Sequence, residues 1–190
     1  MAGSHMIAEN IRKVVPYGKL RTVSVLTELN DEGSDFEYEV FFEVNPYSRF
    51  VLQSKGETRE EAIDGMLAEI NKVSEELPSW SKAAFDLLDG MEEAEVEMVS
   101  RRDLKNQTYS FEKVVEEDNV ALFKGNVKED LYSKYYVEIH LNDEEVISVY
   151  ATGTEEESAK TRLVNEINKN FSFVKEDLEW TKEFFENIKN

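Results

Sequence analysis

The sequence predicts an α+β fold: a tandem duplication of one βββαα unit. In each copy a three-stranded antiparallel meander carries helices packed on one face, and the two copies form a pseudo-two-fold arrangement. Three observations predict it. Gly56-Glu57-Thr58-Arg59-Glu60-Glu61-Ala62, running on to Ile70-Asn71-Lys72, recurs 97 positions later as Gly153-Thr154-Glu155-Glu156-Glu157-Ser158-Ala159, running on to Ile167-Asn168-Lys169. Upstream, Tyr38, Val40, Phe42, Val44 and Asn45 fall on Tyr135, Val137, Ile139, Leu141 and Asn142 at the same offset, alternating like one face of a strand. Downstream, Trp80-Ser81-Lys82 with Phe85 matches Trp180-Thr181-Lys182 with Phe185 at an offset of 100. A three-residue insertion is therefore expected, with Trp80 and Trp180 as equivalent core anchors.

Taken in order, Gly3-Ser4-His5-Met6 is a common cloning scar, so residues 1–6 are expected to be an expression-tag remnant. The first repeat is placed at 7–99. Residues 7–20 read as a lead-in with one or two helical turns stopping before Pro16. Strands are expected at 21–29, 36–44 and 49–55, separated by the turn-forming runs Asn30-Asp31-Glu32-Gly33-Ser34-Asp35 and Asn45-Pro46-Tyr47-Ser48. A helix over 58–76 follows. Thr58 and Glu61 have the spacing of a reciprocal capping box, and Ala62, Ile63, Met66, Leu67, Ile70 and Val73 form its buried stripe. Pro78 should end this helix and Ser79 cap a second one over 80–89, closed by Gly90.

Residues 92–99 fit either an edge strand with outward glutamates or a charged linker, and 100–108 are read as the linker between repeats. The second repeat, 109–190, should hold strands at 110–116 or 119–125, 134–141 and 146–152. Helices over 155–169 and 174–188 complete it, the first with Ala159, Leu163, Val164 and Ile167 inward.

A strand pair followed by Gly56, Thr58, Glu60, Glu61 and Ala62 at the head of a helix resembles the βββα unit of HicB-type antitoxins. The resemblance covers residues 36–70 and implies fold. The Pro-rich loop of that family is missing before Gly56, and no basic DNA-binding tail follows.

Charge narrows the partner. The chain carries a net charge of -19, with -12 in residues 1–100 and -7 in 101–190. A surface this acidic repels nucleic acid and anionic membranes and attracts basic protein surfaces. No apolar run approaches the roughly 20 residues of a membrane span. With no cysteine, disulfides and thiolate metal sites are excluded, and a cytoplasmic location is expected.

The residues offer little for catalysis. Beyond His5, His140 is the only imidazole, and it falls at the outward phase of its strand with Tyr136 and Glu138. There is no G-x-S-x-G, no G-x-x-x-x-G-K-[ST] and no G-x-G-x-x-G. Asp86-Leu87-Leu88-Asp89-Gly90 lacks the alternate-position oxygen ligands of a calcium loop. No catalytic residue, metal or cofactor is expected.

The face of each sheet away from the helices is more informative. Glu37, Glu39, Phe41 and Glu43 should share it in the first copy, and Tyr136, Glu138 and His140 in the second. Carboxylates flanking aromatics suit a protein interface, where aromatics are enriched. Together with Glu93, Glu95 and Glu97, these are the expected partner-binding residues. The expected function is a non-enzymatic acidic module that occupies a basic site on a protein partner, with imitation of nucleic acid as its narrower form. A monomer with internal pseudo-symmetry is favoured. An adaptor binding a peptide or partner strand at a sheet edge is the alternative, and a carboxylate-dependent enzyme is third.

Overall fold

A computed structural model of the chain describes residues 5–14, 20–29, 36–45, 48–90, 96–102, 108–117, 120–127, 132–140 and 146–190. The architecture is α+β, with antiparallel strands and two helices. The chain divides into two compact units, Met1–Leu77 with Ser172–Asn190, and Pro78–Phe171.

The first unit holds β1 (His5–Val14), β2 (Leu20–Leu29), β3 (Phe36–Asn45) and β4 (Ser48–Gly56), hydrogen-bonded in chain order as an antiparallel meander. Residues 59–77 of α1 (Arg59–Asp89) and 172–189 of α2 (Glu156–Lys189) belong to it. Along β3 the expected phase holds: Tyr38, Val40, Phe42 and Val44 are buried, while the residues between them are half-buried or exposed. The register sets Phe42 between Val23 and Phe50, and Val40 between Val25 and Leu52, all buried. The Phe42 and Phe50 rings stack with centroids 4.5 Å apart. Tyr38 meets Phe185 of α2 edge-on at 5.2 Å.

The second unit holds β5 (Val96–Arg102), β6 (Thr108–Glu117), β7 (Val120–Val127), β8 (Tyr132–His140) and β9 (Val146–Gly153), again antiparallel and in chain order. Residues 78–89 of α1 and 156–171 of α2 complete it. Its pairings repeat those of the first unit 97 residues on. Val23 faces Phe42 as Val120 faces Ile139, and Phe42 faces Phe50 as Ile139 faces Ile147.

The strand-to-helix corners have the same geometry. A Cβ added at Gly56 would stand 2.6 Å from the Ala62 backbone nitrogen, and one at Gly153 would stand 2.6 Å from that of Ala159. Only glycine lets the strand end so close to the helix backbone. At the first corner the Glu61 amide donates to Thr58 Oγ1 at 3.2 Å, while the Glu61 carboxylate accepts from the Glu57 amide at 3.0 Å. The reach back thus lands one residue before the cap. At the second corner Ser158 Oγ accepts from the Glu155 amide and donates to the Glu155 carbonyl. Side chains then fasten each helix to its strand: Ser54 donates to the Ala62 carbonyl, and Arg162 to the Thr152 carbonyl.

Several expectations give way. Residues 5–14 form β1, paired with β2, where a helical lead-in was expected. Residues 96–102 form β5 against β6, so 96–99 take the strand alternative and 100–102, expected to be linker, continue it. The alternatives 110–116 and 119–125 are both strands, β6 and β7. Each expected helix pair is one continuous helix. α1 runs through Pro78, which is exposed, while Leu77 and Trp80 beside it are buried. Pro78 lacks the N–H that would bond the Ser74 carbonyl, and burial of its neighbours holds the helix together across the gap.

Continuity removes the three-residue insertion. Ten positions of α1 are buried, and eight of them, Ala62, Met66, Ile70, Val73, Leu77, Trp80, Ala84 and Leu88, have buried partners 97 residues on: Ala159, Leu163, Ile167, Asn170, Val174, Asp177, Thr181 and Phe185. The other two, Ile63 and Leu87, fall on half-buried Lys160 and Phe184. An offset of 100 turns the face by about 60° and pairs buried Trp80 with half-buried Trp180. The two tryptophans are not equivalent anchors. Leu67 and Val164 are half-buried, at the margins of the stripes they were expected to join. Two of the buried polar side chains of α2 bond to their own helix, Asn170 Nδ2 to the Glu166 carbonyl at 2.7 Å and Thr181 Oγ1 to that of Asp177 at 2.6 Å.

Ile70 and Ile167 are fully buried, so Ile70→Ala and Ile167→Ala should each cost about 2–5 kcal/mol in urea unfolding. Replacing Pro78 tests the continuous helix. Pro78→Ala should raise stability by about 1–3 kcal/mol, since proline disfavours a helix interior by roughly 3 kcal/mol relative to alanine. Were the helix to stop there, no such gain would be measured.

Candidate protein-binding surface

The outward face of β3 carries four of the expected residues. Glu37, Glu39 and Phe41 are half-buried and Glu43 is exposed. Phe41 lies between Ser24 and Val51, both half-buried. Each glutamate has a polar or basic residue across from it on β4. Glu37 is registered with Lys55 and Glu43 with Arg49, and Glu39 Oε1 accepts from Gln53 Nε2 at 2.8 Å. Opposite charges directly across a strand pair favour the pairing by roughly 0.2–1 kcal/mol. The face is therefore a half-buried phenylalanine set among alternating charges.

Tyr136, Glu138 and His140 lie on β8, in the second unit. Tyr136 is registered with Phe123 and Tyr150, Glu138 with Ala121 and Ser148, and His140 with Val146. Ala121 and Phe123 are buried, so at β7 the corresponding face is covered. On β5, Glu97 stands across from Lys113. Glu93 and Glu95 lie outside the described residues. The expected residues thus fall into separate sets, each within its own unit.

Two helical surfaces were missed by the sequence reading. The first is the outward side of α1, where Glu60, Glu61, Asp64, Glu75, Asp86 and Asp89 are exposed. Of the three basic residues of that helix, Arg59 donates to the Ile188 carbonyl at 2.8 Å, satisfying a terminal carbonyl of α2. Lys82 pairs with Asp86, and Lys72 is exposed. The carboxylates Glu60 and Glu61 in the first turn also complement the helix dipole. The second surface is a row of half-buried aromatics on α2, with Trp180 stacked on Phe184 at 5.8 Å. Its sequence signal is the spacing of Phe173, Trp180 and Phe184, of which Trp180 was expected to be a core anchor.

Among the described residues no group of three or more His, Asp or Glu could hold a metal ion. No helix there is long and apolar enough to cross a membrane.

In the first unit Lys189 bonds to Asp64, and that hydrogen bond raises the lysine above its ordinary value of 10.5. The pair contributes below the ordinary lysine range and is lost as pH rises through the folded value. Lys189 should therefore titrate above 10.5, observable by NMR at its ε-methylene, and Asp64→Asn should return it to the ordinary range.

Comparison with protein-family models, with curated proteins and with solved structures found no match.

Proposed function

We propose that the protein is a non-enzymatic acidic binding module that occupies a basic site on a protein partner. The observation that carries this reading is the outward face of β3. Phe41 stands there between Glu39 and Glu43, while the opposite side of the strand is apolar core. A half-buried aromatic flanked along its strand by carboxylates supplies an anchor and a charge preference, which is what a protein interface uses. The net charge of -19 steers a basic partner toward it.

The finer form of the fold belongs to the same proposal. A tandem duplication, with its copies in a pseudo-two-fold arrangement and the chain acting as a monomer, is supported by strand registers and helix burial that repeat at 97 residues. A cytoplasmic setting fits a chain without cysteine.

Imitation of nucleic acid calls for an unbroken line of charge, one per roughly 1.7 Å of duplex axis. Lys55 across from Glu37, and Arg49 across from Glu43, interrupt such a line. That observation favours the adaptor as the second reading. Its binding edge would be β1, which among the described strands pairs only with β2, or β5, which pairs only with β6.

The test uses the protein as bait in lysate at low and high salt, beside a Glu37→Lys/Glu39→Lys/Glu43→Lys variant whose fold is checked by circular dichroism. Basic proteins should be held at about 0.05 M salt, released near 0.5 M as charges are screened, and lost by the variant. Capture that ignores both salt and charge reversal would overturn the module reading and leave edge pairing.

A further inference from the structure

The last five turns of α2, within the first unit, sort their side chains by type around the helix. At about 100° per residue, Val174, Asp177, Leu178, Thr181 and Phe185 share one face, and all five are buried. Phe173, Trp180 and Phe184 fall together on the next sector and are half-buried. Beyond them lie Glu176, Glu179 and Glu183, all exposed. The lysines Lys175, Lys182 and Lys189 repeat every seven residues on the far side of the buried face. The outer border of the aromatic row is therefore acidic, and Lys175 from the far side pairs with Glu179 at 4.0 Å.

This row is specific to α2. At the positions 97 residues earlier, α1 carries Glu76, Ala83 and Leu87. The Trp180–Phe184 stack keeps two large rings partly in water, although removing such side chains from water is favourable. Tryptophan and its aromatic neighbours are the residues that anchor protein interfaces.

We propose that Phe173, Trp180 and Phe184, bordered by Glu176, Glu179 and Glu183, form a docking strip for a basic amphipathic helix of a partner protein. This rests on the reading of the chain as a binding module and gives it a second surface, on α2. An apolar stripe on the incoming helix would cover the rings, and a row of Lys or Arg along one side of that stripe would meet the glutamates. Charge complementarity selects this occupant. A second copy of the chain would bring its own surplus of acid against the glutamate row, and an anionic membrane would be repelled by it.

The sequence contains only two tryptophans, so Trp80→Phe leaves Trp180 as the sole reporter. The probe is a synthetic 14-residue Leu/Lys amphipathic peptide. Controls are a peptide of the same composition scrambled to break the stripe and a Leu/Glu counterpart. Titration with the amphipathic peptide should shift Trp180 emission to the blue and saturate; the controls should not. Calorimetry on the otherwise unaltered protein provides the second measurement. Glu179→Lys/Glu183→Lys, both at exposed positions, should weaken binding by about tenfold or more. Equal binding of the scrambled peptide, unaltered Trp180 emission on binding, or indifference to Glu179→Lys/Glu183→Lys would each overturn the strip. If the β3 variant still loses basic proteins from lysate in that case, the module reading survives and only the strip falls.

Discussion

Everything above the sheets depends on a close approach at two corners. The strand ending at Gly56 passes so near the first turn of α1 that a single methyl group would collide with the Ala62 backbone nitrogen at 2.6 Å, and Gly153 stands in the same relation to Ala159. With the helix start held there, the stripe that begins at Ala62 has one direction in which to lie. Met66 and Ile70 then fall on the buried face without further instruction. The caps differ in chemistry, Thr58 with Glu61 at one and Ser158 at the other. The glycine is the part that does not vary.

What the sequence made legible follows from periodicity, and what it hid follows from tertiary context. β3 and β4 could be read because one side is buried and the other is not, so alternation survives in the residue types. β1 could not. Ile7, Ile11 and Val14 repeat at helical spacing, and only pairing with β2 makes that stretch a strand. Pro78 is an ordinary helix stop by local rules, overridden because Leu77 and Trp80 are buried to either side. The tryptophans misled for a related reason. Residue identity put Trp80 opposite Trp180, whereas burial follows the helical phase and puts Trp80 opposite Asp177. Of the candidate surface, the outward phase of β3 was readable, but its basic neighbours on β4 emerge only from register.

The two helices share a burial pattern and differ in what they show to water. α1 presents carboxylates with few bases among them. In its last five turns α2 gathers its lysines to one side and sets aromatics beside glutamates on the other. Residue types differ on the buried face too, where Trp80 and Ala84 stand opposite Asp177 and Thr181, but only the outward differences can reach a partner.

The division of the helices between units has a temporal consequence. The second unit is an uninterrupted run from Pro78 to Phe171, whereas the first is completed only by Ser172–Asn190. During synthesis, β1 to β4 and the start of α1 emerge early but wait for Phe185 to reach Tyr38 and for Ile188 to reach Arg59, a separation of 129 residues for the latter. Loops of that length close at a substantial entropic cost, and contacts so distant in sequence form late. The first unit can therefore close only once Ser172–Asn190 have been made, after every residue of the second, although it is the first to begin.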